Sequence, residues 1–323
     1  MTVSLDAIRR ARSLIAGVAV RTPLVKLDVA APNGAEIWLK LETLQPIGSF
    51  KIRGACAAIR DTRATDPGAL KGGVLTASAG NMAQGVAWVA RELGIPCTVI
   101  VPEGAARTKL DAVERMGGRV VAAPFDRWWK TFLERSYPGE TGLFVHAFDD
   151  ERVMAGNGTI GLEILEDLPD VDTVIVPWGG GGLACGIASA LRAAGPKGVR
   201  VLAAEADTGA PLAASFAAGE AREVDFRASF VDGLGSRATL PSMWARARTL
   251  LDGSIVSSLA EIAAAVRLLA LRARVVAEGA GAAGVAAATS GRAGAGARKI
   301  VAIVSGGNID ASRLATILEG RVP

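Results

Sequence analysis

Residues 173–183 read TVIVPWGGGGL, and the fold class can be inferred from this segment. Residues 173–176 are β-branched and apolar on both faces, as expected of a strand buried inside a parallel sheet. Four glycines follow, and an apolar helical stretch through Leu191 begins directly after them. A strand, a glycine-rich turn and a helix in this order predict a repeating α/β unit with helices packed on the sheet.

Similar strand candidates alternate with helical stretches along nearly the whole chain. The clearest candidates cover residues 73–76, 97–101, 120–122, 173–176, 199–203 and 300–304. Helix ends are recognisable between them, since Asn81 can cap a helix over 82–93. Ser258 and Glu261 form a capping box that predicts a helix running to about residue 277. The alternation indicates an open, doubly wound α/β architecture.

The glycine run predicts a site for an anion. Without side chains, backbone amides can point at a phosphate, and the dipole of the following helix favours negative charge. Four consecutive glycines are costly in conformational entropy, so a tight turn alone explains them poorly. The segment also fits a dinucleotide fingerprint, Gly179-x-Gly181-x-x-Ala184, with Glu205 at the end of the next strand. A nicotinamide or flavin enzyme therefore stays open as an alternative at this point.

A second segment, GSFKIRG at residues 48–54, singles out Lys51 for chemistry. Phe50 and Ile52 flank this lysine, and the preceding Pro46 and Gly48 resist a helix. A lysine that loses water there has a pKa below the free value of about 10.4 and offers a nucleophilic amine. Such an amine forms Schiff bases with carbonyls, including pyridoxal phosphate (PLP). Taken alone, a solvated surface lysine is the commoner explanation.

Two further loops follow predicted strands. Residues 78–81 read SAGN and open a helix, where backbone amides and the Ser78 hydroxyl can bind a carboxylate. Residues 305–308 read SGGN, and the Ser305 hydroxyl can donate to an uncharged ring nitrogen. Loops at the carboxyl ends of parallel strands line the ligand crevice in such folds. We therefore expect both loops to lie near Lys51 and the glycine run.

Bulk properties exclude several classes of protein. The chain has 323 residues and a formal charge of +4, without a basic block interleaved with aromatics, so nucleic-acid binding is not expected. Three widely spaced cysteines indicate reduced thiols in a cytoplasm, and no apolar run reaches membrane-spanning length. His146, the only histidine, is interpreted as a buried imidazole at a strand end. We predict no metal site.

Together these pieces resemble the fold-type II PLP enzymes, most closely the threonine/serine dehydratase and serine racemase family. The matching segments are residues 45–55, 78–81, 179–183 and 305–308, with weaker similarity at 232–233 and 278–282. The resemblance covers almost the whole chain. It implies an α/β fold similar to tryptophan synthase β, with two open, twisted, mainly parallel sheets covered by helices. The large domain would comprise residues 1–66 and 147–323, and the small domain residues 67–146.

The resemblance also implies a role for each site residue. Lys51 would bind PLP as a Schiff base and act as the catalytic base, with Phe50 packed against the ring. Asn81 would bind the cofactor 3′-oxygen, and Ser305 would face the pyridine nitrogen. The phosphate would be held by Gly179, Gly180, Gly181, Gly182 and Leu183. The substrate carboxylate would be bound by Ser78, Ala79, Gly80 and Asn81.

Departures from the family help to choose among its activities. Serine racemases carry a second serine, the base on the opposite face, where this chain has Ala79, so racemisation should be minor. Metal-activated relatives pair Glu205 with an aspartate where this chain has Pro211, which makes a divalent site doubtful. Met82 stands where a histidine is common.

We therefore expect β-elimination of a β-hydroxy amino acid, L-threonine or L-serine, to a 2-keto acid and ammonia. A racemase or a hydroxyaspartate-type dehydratase is the alternative within the family. The expected partner is a small-molecule amino acid, in a homodimer or homotetramer.

Overall fold

The computed structural model describes residues 2–105 and 107–323. Its strands are β1 (Leu24–Leu27), β2 (Glu36–Leu41), β3 (Val74–Ala77), β4 (Cys97–Pro102), β5 (Arg119–Ala123), β6 (Leu143–Phe144), β7 (Thr173–Pro177), β8 (Arg200–Ala206), β9 (Gly253–Ser257) and β10 (Lys299–Val304). Its helices are α1 (Leu5–Ile15), α2 (Lys51–Thr65), α3 (Asn81–Leu93), α4 (Arg107–Arg115), α5 (Phe125–Glu134), α6 (Glu151–Asp167), α7 (Gly182–Ala194), α8 (Pro211–Ala218), α9 (Pro241–Leu250), α10 (Leu259–Leu268), α11 (Gly279–Thr289) and α12 (Ala311–Leu318).

In the described ranges the strands form two sheets, one larger than the other. The larger sheet has the order β1-β2-β10-β7-β8-β9. Strand β1 is antiparallel to β2, and every other pairing in this sheet is parallel. The central strand β10 places Val301 beside both Trp38 of β2 and Val174 of β7. Helices cover both faces, because Ile175 and Val301 lie in different apolar clusters and neither is exposed to solvent.

The smaller sheet has the order β5-β4-β3-β6 and is parallel throughout. It is built from one continuous part of the chain, between residues 74 and 144, whereas the larger sheet uses residues on both sides of that part. The chain thus leaves the larger sheet after β2 and returns to it at β7. The two-sheet α/β fold agrees with our expectation, and the division at residues 66/67 and 146/147 stays a prediction.

The strand predictions match the structure within a few residues, but one helix prediction was wrong. Helix α10 opens with the predicted capping box of Ser258 and Glu261, yet it ends at Leu268 and not near residue 277. One π-helical turn follows, and Arg274 then takes a left-handed conformation at φ 60°. Beyond this turn the chain meets the loop after β10, where Glu278 N–H donates to the carbonyl of Gly306 at 3.0 Å.

Glycines let helices α2, α6 and α7 pack with their backbones in contact. A Cβ atom added at Gly156 of α6 would lie 2.4 Å from the carbonyl oxygen of Arg53 in α2. One added at Gly186 of α7 would lie 2.3 Å from the carbonyl oxygen of Met154 in α6. Such distances leave no room for a side chain, so the sequence fixes how closely these helices approach.

A buried group of charges fixes the beginning of α2. Arg53 is fully buried and donates to the carboxylates of Glu42 and Glu163 at 2.6–2.9 Å. The buried Lys40 ammonium lies 2.6 Å from Glu163. Burial has the largest single effect and raises the pKa of Glu163, but the hydrogen bonds and charges of Arg53 and Lys40 together outweigh it and hold that pKa below its usual value. Since Arg53 lies two residues after Lys51, these bonds also position the lysine.

None of the described helices combines the length and apolar character needed to cross a bilayer.

Candidate active site

One cavity of about 450 Å³ lies where the loops after β3, β7 and β10 meet. Every residue that the sequence predicted for the site lines this cavity: Phe50, Lys51, Ser78, Ala79, Gly80, Asn81, Gly179, Gly180, Gly181, Gly182, Leu183 and Ser305. The sequence-distant segments therefore do come together, as the carboxyl ends of parallel strands require. The role of each residue stays a prediction.

Lys51 is the first residue of α2, and its amine is directed into the cavity. Its Nζ atom donates to the carbonyl oxygen of Ala147 at 2.8 Å and lies 5.1 Å from the centre of the Phe50 ring. Burial lowers the pKa of Lys51 to about 8, against the opposing charge of Glu278. A substantial fraction of the amine is therefore neutral near pH 8, as a nucleophile or base requires.

The glycine run forms a cradle that no side chain can enter. A Cβ atom at Gly180 would lie 2.0 Å from a ring carbon of Phe148, and one at Gly182 would lie 2.6 Å from the Phe148 carbonyl. Gly181 precedes α7 in a left-handed conformation at φ +92°, which favours glycine. The first backbone N–H groups of a helix have no intrahelical acceptor. They are suited to bind a phosphate at the beginning of α7.

Asn81 does not cap α3, so that interpretation of the sequence was wrong. Gly80 is the cap residue, and the Asn81 side chain makes no capping hydrogen bond. Its Nδ2 instead donates to Glu278 Oε1 at 2.8 Å, and its Oδ1 accepts from Asn308 Nδ2 at 2.8 Å. Asn308 also donates to the carbonyl of Ile47 at 2.9 Å. The Asn81 amide is thus fixed in orientation, and its second N–H can serve a ligand in the cavity.

The loop between β3 and α3 offers backbone N–H groups at the beginning of a helix. The Ser78 hydroxyl accepts from the Gly80 N–H at 3.2 Å, which holds the loop in a tight turn. Ala79 contributes only a methyl group to the cavity lining. The arrangement suits a carboxylate and provides no second side-chain base at position 79.

Ser305 ties the lysine segment to the larger sheet. Its carbonyl accepts from the Phe50 N–H at 3.0 Å, and the neighbouring residues Ser49 and Gly306 pair as an isolated bridge. Lys51 therefore begins its helix directly beside the loop that follows β10. This contact brings Ser305 and Lys51 to the same cavity although 254 positions separate them (305 − 51).

Sequence reasoning missed an aromatic surface of the cavity. Trp128, Trp129 and Phe132 of α5, together with Phe148, line one side of it, and we call these four residues the aromatic wall. The rings of Trp129 and Phe132 stack with centroids 5.4 Å apart, and those of Phe132 and Phe148 lie 5.5 Å apart. The spacing of 128, 129 and 132 marks one face of a helix, a signal that could have been used.

His146 orients the backbone beside the site, as its interpretation as a buried imidazole predicted. It is 2% exposed, and its Nδ1 accepts from the N–H groups of Phe148 and Asp149. Burial lowers the pKa of His146 to about 4, so the ring is neutral near pH 7. We assign His146 a structural role, because its Nδ1 atom accepts hydrogen bonds from the backbone.

Glu205 has a structural role, and the hypothesis of a dinucleotide-binding site therefore loses its acidic residue. Its carboxylate is 1% exposed and accepts from the N–H groups of Leu212 and Ala213 and from the Ser254 hydroxyl. An acidic residue occupied in this way cannot bind the ribose of a dinucleotide. Within the residues that the structure describes, no group of three or more potential ligands is arranged for a metal ion.

A cavity that joins a lysine amine of lowered pKa to a phosphate cradle is suited to an enzyme with a phosphorylated carbonyl cofactor. The chain belongs to the family of pyridoxal-phosphate dependent enzymes, whose model matches residues 15–306. The cradle, which a Cβ atom would fill, fits the phosphate of this cofactor, and Lys51 fits its aldehyde.

Named relatives cover nearly the whole chain. L-threonine ammonia-lyase of Thermotoga maritima is 38% identical over 319 residues, which are 98% of this chain and 78% of that protein. The catabolic L-threonine dehydratase of Staphylococcus aureus is 38% identical over 324 residues, 98% of this chain and 92% of that protein. Maize serine racemase superimposes with a TM-score of 0.88 and 33% identity, over 99% of this chain and 98% of that one.

Proposed function

We propose that this chain is a PLP-dependent ammonia-lyase that eliminates the hydroxyl of a β-hydroxy amino acid as water and yields a 2-keto acid and ammonia after one water is taken up by hydrolysis. The observation that carries the proposal is the Lys51 amine, with a pKa of about 8, in one cavity with the glycine cradle. The similarity to L-threonine ammonia-lyase and L-threonine dehydratase supports the same reaction on L-threonine or L-serine.

The binding roles follow from the donors that each element offers. The N–H groups at the beginning of α7 hold the cofactor phosphate, and the free N–H of Asn81 donates to the 3′-oxygen. Phe50 packs against the pyridine ring, and the Ser305 hydroxyl donates to its nitrogen. The N–H groups after Ser78 hold the substrate carboxylate, which turns the Cα–H bond toward Lys51.

When bound, PLP supplies an electron-withdrawing ring that stabilises negative charge at the substrate Cα. Lys51 supplies the proton transfers: its neutral amine removes the Cα proton as a general base. The β-hydroxyl then leaves as water, so that the Cα proton and the hydroxyl together make up the water lost. A serine at position 305 would donate a hydrogen bond to the ring nitrogen of the bound cofactor without charging it, which would favour prompt loss of the β-substituent.

The structural likeness to maize serine racemase makes a racemase the second candidate. Ala79 argues against it, since the cavity then lacks a hydroxyl on the face opposite Lys51 at that position. A hydroxyaspartate-type dehydratase is disfavoured by charge. Among the described residues of the cavity lining the charged side chains are Lys51, Asp232 and Glu278. That lining therefore contains no arginine that could bind the second carboxylate of such a substrate.

We also propose the large domain at residues 1–66 and 147–323 and the small domain at 67–146. The cavity lies between loops of both sheets, so closure of one sheet toward the other would exclude water from the reaction. We further propose a cytoplasmic homodimer or homotetramer.

The test is 2-keto acid release from L-threonine and L-serine by the purified holoenzyme, with chiral analysis of the remaining substrate. We expect keto acid and ammonia in equal amounts and no D-amino acid. Lys51→Ala should lose turnover and covalent cofactor attachment, the latter measured by mass spectrometry after borohydride reduction. Keto acid at the wild-type rate from Lys51→Ala would refute the proposed role of the lysine, and D-amino acid without keto acid would move the assignment to a racemase.

A further inference from the structure

The aromatic wall covers a part of the cavity that the proposed roles leave unused. The phosphate cradle, the carboxylate loop and Lys51 make up only part of the lining. Trp128, Trp129 and Phe132 project from α5, which packs on β3 and β4 and so stands beside the carboxylate loop. The wall therefore borders the same cavity as the carboxylate loop and the cradle, beside the loop proposed to hold the substrate carboxylate.

The wall is one continuous aromatic surface. Its rings follow one another from Trp129 through Phe132 to Phe148, with centroids 5.4 and 5.5 Å apart. Phe148 in turn covers Gly180 of the cradle. Trp129 is 41% exposed and Phe132 is 6% exposed, so the surface runs from the solvent into the cavity. A ligand ring laid along it can form offset or edge contacts with several aromatic side chains.

Neighbouring positions reinforce the apolar character. Ala79 and Met82 line the same cavity, and Met82 is 1% exposed. The methyl group of threonine or the hydrogen of serine would cover little of this surface. A larger apolar substituent would cover more of this surface. Each additional Å² of apolar surface removed from water would contribute roughly 25 cal/mol to the binding free energy.

Three buried polar atoms belong to residues of the lining and lack a partner. The indole Nε1 atoms of Trp128 and Trp178 and the hydroxyl Oγ1 of Thr239 have no hydrogen-bond partner within the described part of the chain. A buried donor without an acceptor is unfavourable, so a small side-chain movement that brought these atoms to a ligand oxygen would be stabilising. A β-hydroxyl beside an aromatic ring combines both requirements.

We propose that the preferred substrate class is a β-aryl-β-hydroxy amino acid of the phenylserine type, an inference that rests on the proposed elimination. The balanced reaction converts 3-phenylserine to phenylpyruvate and ammonia. The Cα–H and Cβ–O bonds break, the hydroxyl leaves as water, and one water is taken up when the C–N bond hydrolyses. No oxidant or reductant is involved. The phenyl ring lies on the aromatic wall throughout.

The first test compares kcat/KM of the holoenzyme for L-threo-3-phenylserine, L-threonine and L-serine, with phenylpyruvate, 2-oxobutyrate and pyruvate quantified by chromatography. We expect the value for phenylserine to exceed that for threonine at least about tenfold, as burial of a phenyl ring in place of a methyl group implies. A higher value for threonine or serine overturns the substrate inference and leaves the elimination intact. Absence of keto acid from all three overturns the proposed function itself.

The second test uses variants on and off the wall. In Trp129→Ala and Trp128→Ala we expect the ratio of kcat/KM for phenylserine over threonine to fall roughly tenfold, since each removes an aromatic contact. Trp129→Phe should restore most of the ratio. Trp88→Ala is the matched control, because Trp88 of α3 lies outside the cavity lining and packs on Arg91. An unchanged ratio in both wall variants overturns the inference.

The third test needs no turnover. L-Phenylalanine and L-alanine carry no β-leaving group, so their binding to the holoenzyme can be measured by calorimetry. We expect L-phenylalanine to bind at least about tenfold more tightly. Equal affinities would contradict a ring site. If phenylserine gives mainly benzaldehyde and glycine, the enzyme cleaves the Cα–Cβ bond in place of eliminating the hydroxyl, and the proposed reaction is overturned.

Discussion

The Asn81 side chain donates to Glu278 at 2.8 Å, which joins two residues 197 positions apart across the cavity. The same Glu278 raises the pKa of Lys51 against the larger effect of burial. One carboxylate therefore orients the amide proposed to bind the cofactor 3′-oxygen and also tunes the lysine proposed to bind its aldehyde.

Glu278→Gln should separate these two effects. Removal of the negative charge takes away a stabiliser of the protonated amine, so the pKa of Lys51 should fall below its value of about 8. Covalent attachment of PLP to the apoenzyme needs the neutral amine. In the wild type the rate of attachment should rise as the pH passes through about 8. In Glu278→Gln the same rise should occur at a lower pH. The measurement is the growth of the visible absorbance of the attached cofactor over a pH series.

Glu220→Gln is the control for that series, since Glu220 is exposed and lies outside the cavity lining. It should reproduce the wild-type profile. A profile that moves to higher pH in Glu278→Gln would contradict the electrostatic role of the carboxylate.

Gly180→Ala should weaken PLP binding by at least about tenfold. The new methyl would overlap the Phe148 ring, whose nearest carbon lies 2.0 Å from the ideal Cβ position, so the ring or the cradle must move. Overpacking of this kind costs about 1–3 kcal/mol. The measurements are the PLP dissociation constant of the reconstituted enzyme and its melting temperature. Gly296→Ala is the matched control, because nothing lies within 4 Å of its Cβ position.

Ala79→Ser should bring racemisation to a chain that otherwise eliminates. A serine there adds a hydroxyl to the cavity lining, and the resemblance to serine racemases implies that this hydroxyl would exchange a proton with the substrate Cα from the face opposite Lys51. Chiral chromatography of residual L-serine should detect D-serine in this variant and none in the wild type or in Ala79→Gly. Racemisation by the wild-type enzyme would show that its second proton donor lies elsewhere.

The buried charges around Arg53 predict how stability depends on pH. The pKa of Glu163 is below its usual value of 4.5 in the folded protein, so its contribution is fully present above pH 4.5. It is lost as the pH falls through the lower folded value. Glu163→Gln leaves Lys40 and Arg53 short of a negative partner and should lower the free energy of unfolding at pH 7 by about 3–5 kcal/mol.

Chemical denaturation at pH 7 and at pH 3.5 tests this, and the difference between variant and wild type should be smaller at the lower pH. Glu166→Gln on the same helix is the control: its pair with Arg12 is exposed, and such pairs contribute about 0–1 kcal/mol. Equal losses in the two variants would mean that the buried group does not stabilise the beginning of α2.

Much of the fold and of the site could be predicted because it depends on local sequence patterns. The apolar strand at 173–176 and the glycine run are adjacent in the sequence. The cradle at Gly180 could therefore be predicted from this segment alone. Asn81 was misinterpreted as a cap because its partners, Glu278 and Asn308, are distant in the chain. Trp129 was unplaced for a similar reason, since only tertiary packing brings α5 to the cavity.

The order of strands in the larger sheet has a consequence for biosynthesis. Its central strand, β10, is the last strand of the chain and separates β2 from β7. During translation β2 cannot pair with its parallel neighbour until about residue 304 has left the ribosome. The smaller sheet, in contrast, has all its strands once residue 144 has been made. Late, long-range pairing is slow and leaves strand edges open to aggregation. A nascent chain that stops before β10 would carry a folded smaller sheet on an unfinished larger one, a natural target for chaperones.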